Sequence, residues 1–219
     1  MHWNSNVWQI MWVCSHAWSL VIQLNIQSMF NDQHLEWKTE VNFIAAKISK
    51  SVGLLYKAKY YLPSKSLLTL YYALIYPYLT YCNLIWASTY VINLERIYLL
   101  QNRAVQAISK ADYKASSKPL FANLQILDVF SIYSLQVSSF MYLYHNEALH
   151  ISFTQIFQTG NQIHQYSTRY SDFYRPHTRR TNIKKFSILF QGPRIWNSYR
   201  MTSKMPHLLA YSSVWSNHF

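Results

Sequence analysis

The chain has 219 residues, 51% of them apolar, and carries 20 Lys and Arg against 8 Asp and Glu, a formal net charge of +12. That apolar share excludes a disordered chain, and the length suits one large or two small domains with real cores. Three glycines, where average usage gives about 15, leave few hairpin turns and favour helices; two cysteines, Cys14 and Cys82, exclude a disulfide framework and a four-ligand zinc set and suit a reducing compartment.

Residues 1–31 form an atypical segment, which we expect to be foreign to the domain that follows. It has no basic n-region and no small-residue cleavage site, so a secretory signal is not expected. Its apolar run, residues 7–26, holds Gln9, Ser15, His16, Ser19, Gln23 and Asn25, too many polar groups to favour a membrane span.

From Trp37 the pattern turns helical. Val41, Ile44, Ile48, Val52 and Leu55 recur at three and four residues, the spacing of one helix face. The run ends at Tyr61-Leu62-Pro63, because proline pushes the residue before it out of helical geometry, and Ser64 is the expected cap of the next helix. The run LLTLYYALIYPYLTYCNLIW (67–86) is long enough to span a bilayer, yet its tyrosines sit in mid-segment rather than at two interfaces, which predicts a core helix hairpin with a kink at Pro77.

Asn93 is the expected cap of a third helix with Leu94, Ile97, Leu100, Ala104 and Ile108 on its apolar side. Arg96, Arg103 and Lys110 follow at seven-residue spacing, a stripe that suits a phosphate backbone or a solvated face equally well. A turn at Ser116–Pro119 leads to a short apolar stretch, and Asp128 is the expected cap of a fourth long helix through Leu143 and Tyr144. Residues 161–182 read as a polar, basic, extended loop. IKKFSILF (183–190) is the best strand candidate, closed by Gln191-Gly192-Pro193, and RIWNSY (194–199) reads as a short helical turn that buries Trp196.

The charge is clustered. Residues 38–110 hold nine bases and two acids and residues 161–219 nine bases and one acid, whereas residues 111–160 hold two bases and three acids. Two basic blocks around a neutral one suit a polyanion, nucleic acid before membrane. No catalytic centre can be named from the sequence: Asp32, Asp112, Asp128 and Asp172 are widely spread, and no phosphate-binding loop, zinc-protease or nucleophile-elbow motif occurs. The histidines His145, His150, His164 and His177 lack companion ligands, so no metal site is expected, and Cys82 reads as a core thiol.

In order along the chain, DQHLEWKTEV (32–41), KISKSVGLLYKAKYYLPSKSLLTLYYALIYPYLTYCNLIWAS (47–88), LERIYLLQNRAVQAISK (94–110), PLFANLQILDVFSIYSLQVSSFMYLYHN (119–146), HQYSTR (164–169) and GPRIWNSY (192–199) resemble the C-terminal, post-palm part of jockey-like, LINE-type non-LTR retrotransposon reverse transcriptases. The resemblance covers residues 30–200, with Glu40 standing where the family usually has a histidine. It implies an RNA-directed DNA polymerase whose palm uses an A-D-D turn and two magnesium ions. This sequence contains no such turn, so the expectation is a truncated C-terminal fragment without catalysis or cofactor of its own.

The expected architecture is mainly α: a thumb-like helical hairpin and bundle over 32–112, further helices over 113–160, a small basic, extended or β C-terminal part over 161–204, and a tail over 205–219. Lys47, Lys50, Lys57, Lys59, Arg96 and Arg103 are the candidates for holding a duplex by its phosphates, with Arg169, Arg179, Arg180, Lys184 and Lys185 as a second group for RNA or target DNA. Expected partners are RNA or DNA and the polymerase palm; a membrane is disfavoured. The alternative role is a structural module that docks on a palm and binds no nucleic acid. Either role places the chain inside the cell, in nucleus or cytoplasm, and not among secreted proteins.

Overall fold

The computed structural model describes residues 37–112, 114–150, 153, 155–163, 169–178 and 180–201. The run 7–26, most of HQYSTR and Arg179 lie outside them. The fold is mainly α, and the chain divides into two compact units between Ile132 and Tyr133.

In the first unit, helix α1 (Lys38–Ala58) buries Val41, Ile44, Ile48, Val52 and Leu55, the five residues that the spacing placed on one face. Glu40 in its first turn puts a negative charge at the end of the helix that favours one. The N–H groups of Tyr61 and Leu62 both bond the Ala58 carbonyl and turn the chain, and α2 (Ser64–Leu74) starts behind an extended Pro63. Ser64 is thus the first helical residue and not the cap.

The kink expected at Pro77 is a full break. α2 stops at Leu74, and α3 (Tyr76–Thr80) begins with Pro77 in its first turn, where a missing N–H costs nothing. The Leu74 carbonyl accepts a hydrogen bond from Ser51 Oγ of α1 at 3.3 Å. α4 (Asn83–Trp86) carries the end of the charge-free run, of which Leu67, Tyr71, Ile75, Leu79 and Trp86 are buried and line the core of this unit, while Thr69, Ala73 and Ile85 stay exposed. Three polar groups of the run bond within it: Thr80 Oγ1 to the Tyr76 carbonyl (3.1 Å), Asn83 Nδ2 to that of Leu79 (2.7 Å) and Trp86 Nε1 to that of Tyr81 (2.7 Å). Among the described residues no single helix is long and apolar enough to cross a membrane.

Helix α5 (Val91–Ile108) lies along α1 and begins two residues before the expected cap. Asn93 therefore sits inside the helix, and its Nδ2 bonds back to Thr89 Oγ1 at 3.0 Å. The stretch after Ser116 is helical, α6 (Ser117–Leu124). Asp128 caps α7 (Val129–His145) as expected, its Oδ1 accepting the Ser131 N–H at 2.7 Å. The fully buried Gln101 of α5 joins three segments: Nε2 donates to the Tyr71 hydroxyl and to the Leu127 carbonyl, both at 2.8 Å, and Oε1 accepts the Val129 N–H at 2.9 Å. Burial pushes the pKa of the Tyr71 hydroxyl well up, so it stays protonated.

Gly53 sits inside α1, exposed, with nothing within 4 Å of where a Cβ would be. Gly53→Ala is expected to stabilise the chain by about 1 kcal/mol, because alanine loses less backbone entropy in a helix. A urea midpoint that stays put or falls in the variant contradicts this.

The second unit holds the later part of α7, then α8 (Gly160–Ile163), α9 (Asn182–Phe186) and α10 (Ile188–Met201). The expected strand 183–190 is helical. Thr181 and Ser187 each start a helix: Thr181 Oγ1 accepts the Lys184 N–H (3.4 Å), and Ser187 Oγ that of Leu189 (3.2 Å). Among the described residues the only β pairing is an isolated bridge, Thr159 to Tyr174, so a strand at 183–190 has no partner. Nor do Gly192 and Pro193 end anything: α10 runs through both. Pro193 offers no N–H to the carbonyl four residues back, and that Leu189 carbonyl accepts the His177 N–H instead, at 3.4 Å. Met141, Phe157, Tyr174 and Trp196 form the core of this unit. A Cβ at Gly192 would lie 2.8 Å from Met141 Sδ and 3.5 Å from Phe157 Cζ, so the glycine lets α10 close on that core.

Candidate nucleic-acid interface

The basic residues of the first unit fall into free and held groups. Lys50 and Lys57 stand two turns apart on α1, exposed, on the side away from the buried stripe. Arg103 of α5 is exposed as well. None of the three bonds to another described residue. Arg96, also exposed, donates from Nη1 to Asn42 Oδ1 of α1 at 2.9 Å. Asn42 and Arg96 lie near the starts of their helices, so α1 and α5 start side by side and Arg96 stands at the seam between them. Arg103 follows it by two turns, roughly 10 Å along the same helix side.

Lys47 and Lys59 are half-buried and lie against aromatic rings. Lys47 Nζ sits 5.2 Å from the Phe43 ring centre, and Lys59 Nζ lies 4.9 Å from that of Tyr56 and 5.2 Å from that of Tyr60. The ring face attracts the ammonium and fixes its place, which leaves the charge beside the surface at a lower entropic cost on binding an anion. The spacings Phe43–Lys47 and Tyr56–Lys59, four and three residues on a helix, were the sequence signal for these pairs. Asn42, which orients Arg96 from another helix, had none.

In the second unit, Arg180 and Lys184 are exposed and close in sequence around α9. Lys185 is half-buried with Nζ 5.7 Å from the Phe186 ring centre, and its carbonyl accepts Gln191 Nε2 at 2.9 Å. Arg169 is exposed in the turn 169–172. The two basic groups therefore belong to separate units.

Such an arrangement can neutralise phosphates, since exposed cations on helix faces meet a backbone without reading bases. For metal chemistry, no group of three His, Cys, Asp or Glu that could hold an ion occurs among the described residues. No family model, curated protein or solved structure matches the chain.

Proposed function

We propose that this chain is the post-palm region of a jockey-like, LINE-type non-LTR retrotransposon reverse transcriptase, and that it holds a nucleic-acid duplex by its phosphates without polymerising. The family part of the reading rests on the ordered sequence resemblance. The binding part rests on one observation: Lys50, Lys57, Arg96 and Arg103 stand exposed on the two long helices that lie against each other. A chain in this role works inside the cell, in nucleus or cytoplasm.

The test is duplex binding by the full chain at a series of salt concentrations. Each phosphate contact releases a counterion, so log K is expected to fall linearly with log salt with a slope of about −3 to −4 for four contacts. Replacing all four residues by alanine should remove most of that slope. Affinity that is unchanged between low and high salt rules the reading out, and nucleotide incorporation by the chain alone would contradict its second half.

The second reading is a module that docks on a reverse-transcriptase palm and has no nucleic-acid role. It is favoured by Val91, Ile92 and Leu99, aliphatic side chains exposed on α5. A palm fragment added in trans should then bind and protect these residues, and a palm fragment that stays separate at micromolar concentration counts against it.

A further inference from the structure

We infer that the turn joining α1 to α2 is a platform for unpaired bases, with Tyr60 and Tyr61 stacking on the bases and Lys57, Lys59 and Lys65 meeting the flanking phosphates. The inference rests on the proposed nucleic-acid role and adds the strand form that this end of the first unit takes. Tyr60 is 77% exposed and Tyr61 87%, more than any other large apolar side chain among the described residues. A folded chain gains by covering such rings, and two adjacent ones left in water are a contact surface rather than a core.

The turn under the rings is ordered. Lys59 N–H bonds the Leu55 carbonyl at 2.9 Å, Tyr61 and Leu62 N–H bond that of Ala58 at 3.0 and 2.9 Å, and Pro63 then fixes an extended exit. A ligand that stacks here pays little to order the backbone. Lys59 is held between the Tyr56 and Tyr60 rings, and Lys57 and Lys65 are exposed on either side. Between Glu40 and Glu95 the sequence has no acidic residue, so this stretch is uniformly positive.

Aromatic faces next to cations fit a ligand with π-faces and negative charge in alternation, which is a single strand of nucleic acid. A duplex hides its base faces and would use the lysines alone. A lipid surface also attracts lysines, but insertion uses Trp, Phe or Leu, and the exposed aromatic side chains of this turn are tyrosines.

The experiment uses the full chain at low salt with three probes: labelled oligo(dT), a blunt DNA duplex, and phosphatidylserine–phosphatidylcholine vesicles. The double variant Tyr60→Ala/Tyr61→Ala is expected to lose about ten- to hundredfold in affinity for oligo(dT) and to change by no more than about twofold on the duplex. Tyr60→Phe/Tyr61→Phe keeps the ring faces and should bind oligo(dT) within about threefold of the parent. Oligo(dT) binding unchanged in the alanine variant overturns the inference, as does an equal loss on duplex and single strand. A loss confined to the vesicles overturns it in favour of a lipid surface. If the parent binds the duplex with a steep salt slope and the alanine variant keeps its oligo(dT) affinity, only this inference falls. If the parent binds neither nucleic acid, the proposed function falls with it.

Discussion

Gln101→Leu is expected to lower the stability of the first unit by about 3–5 kcal/mol, measured as a fall in the urea midpoint. Leucine has nearly the volume of glutamine, so packing changes little. What changes is the bonding of three buried groups: the Tyr71 hydroxyl, the Leu127 carbonyl and the Val129 N–H all lose the partner that Gln101 supplies. A buried polar group without a partner costs about 1–3 kcal/mol, and water reaches this site poorly because Gln101 is fully buried. The Val129 N–H is also one of the first amides of α7, which a helix cannot satisfy by itself. Adding Tyr71→Phe to the variant removes one of the three orphans and should return about 1 kcal/mol. A Gln101→Leu chain as stable as the parent would mean that these bonds have equivalent replacements.

The role of Gln101 shows what the sequence made legible and what it did not. Helices α1 and α5 could be read because each buries a stripe at three- and four-residue spacing, and that spacing is a property of the helix itself. Asp128 could be read as a cap because its partner, the Ser131 N–H, is three residues away. A glutamine in mid-helix gives no such signal, since its partners come from α2 and from the start of α7.

The same division explains the misread C-terminal region. Gly192-Pro193 usually ends an element, and here both stay in a helix because distant residues compensate. The Leu189 carbonyl finds His177, and the missing side chain of Gly192 leaves room for Met141 and Phe157. Thr181 and Ser187 were local cap signals, outweighed by the apolar look of IKKFSILF. For the candidate interface the identities of the basic residues were legible. Whether each was free or held against a ring depended on packing, except where an aromatic lay three or four residues away.

Trp196→Ala is expected to cost about 3–5 kcal/mol, and the loss should appear in the second unit. Trp196 is 3% exposed among Met141, Phe157 and Tyr174, and its ring lies 6.0 Å, centre to centre, from that of His145. Alanine leaves a cavity that α10 cannot close, because the neighbouring Asn197 holds the helix in place through Nδ2 to the Tyr174 carbonyl at 2.8 Å. Trp196→Phe should cost much less, roughly 1 kcal/mol. The indole Nε1 is buried and meets no acceptor among the described residues, so phenylalanine removes an unpaired donor at the same time as it loses volume.

Hydrogen exchange separates the units in this test, since amides open locally with their own free energies. Protection in α10 should fall in Trp196→Ala, and protection in the middle of α1 should hold. The proposed duplex binding through Lys50, Lys57, Arg96 and Arg103 should then be the same in the variant as in the parent, because those side chains stand on the first unit. A variant that loses protection in α1 to the same extent would show that the two compact units fold as one, and the two basic groups could no longer be varied separately.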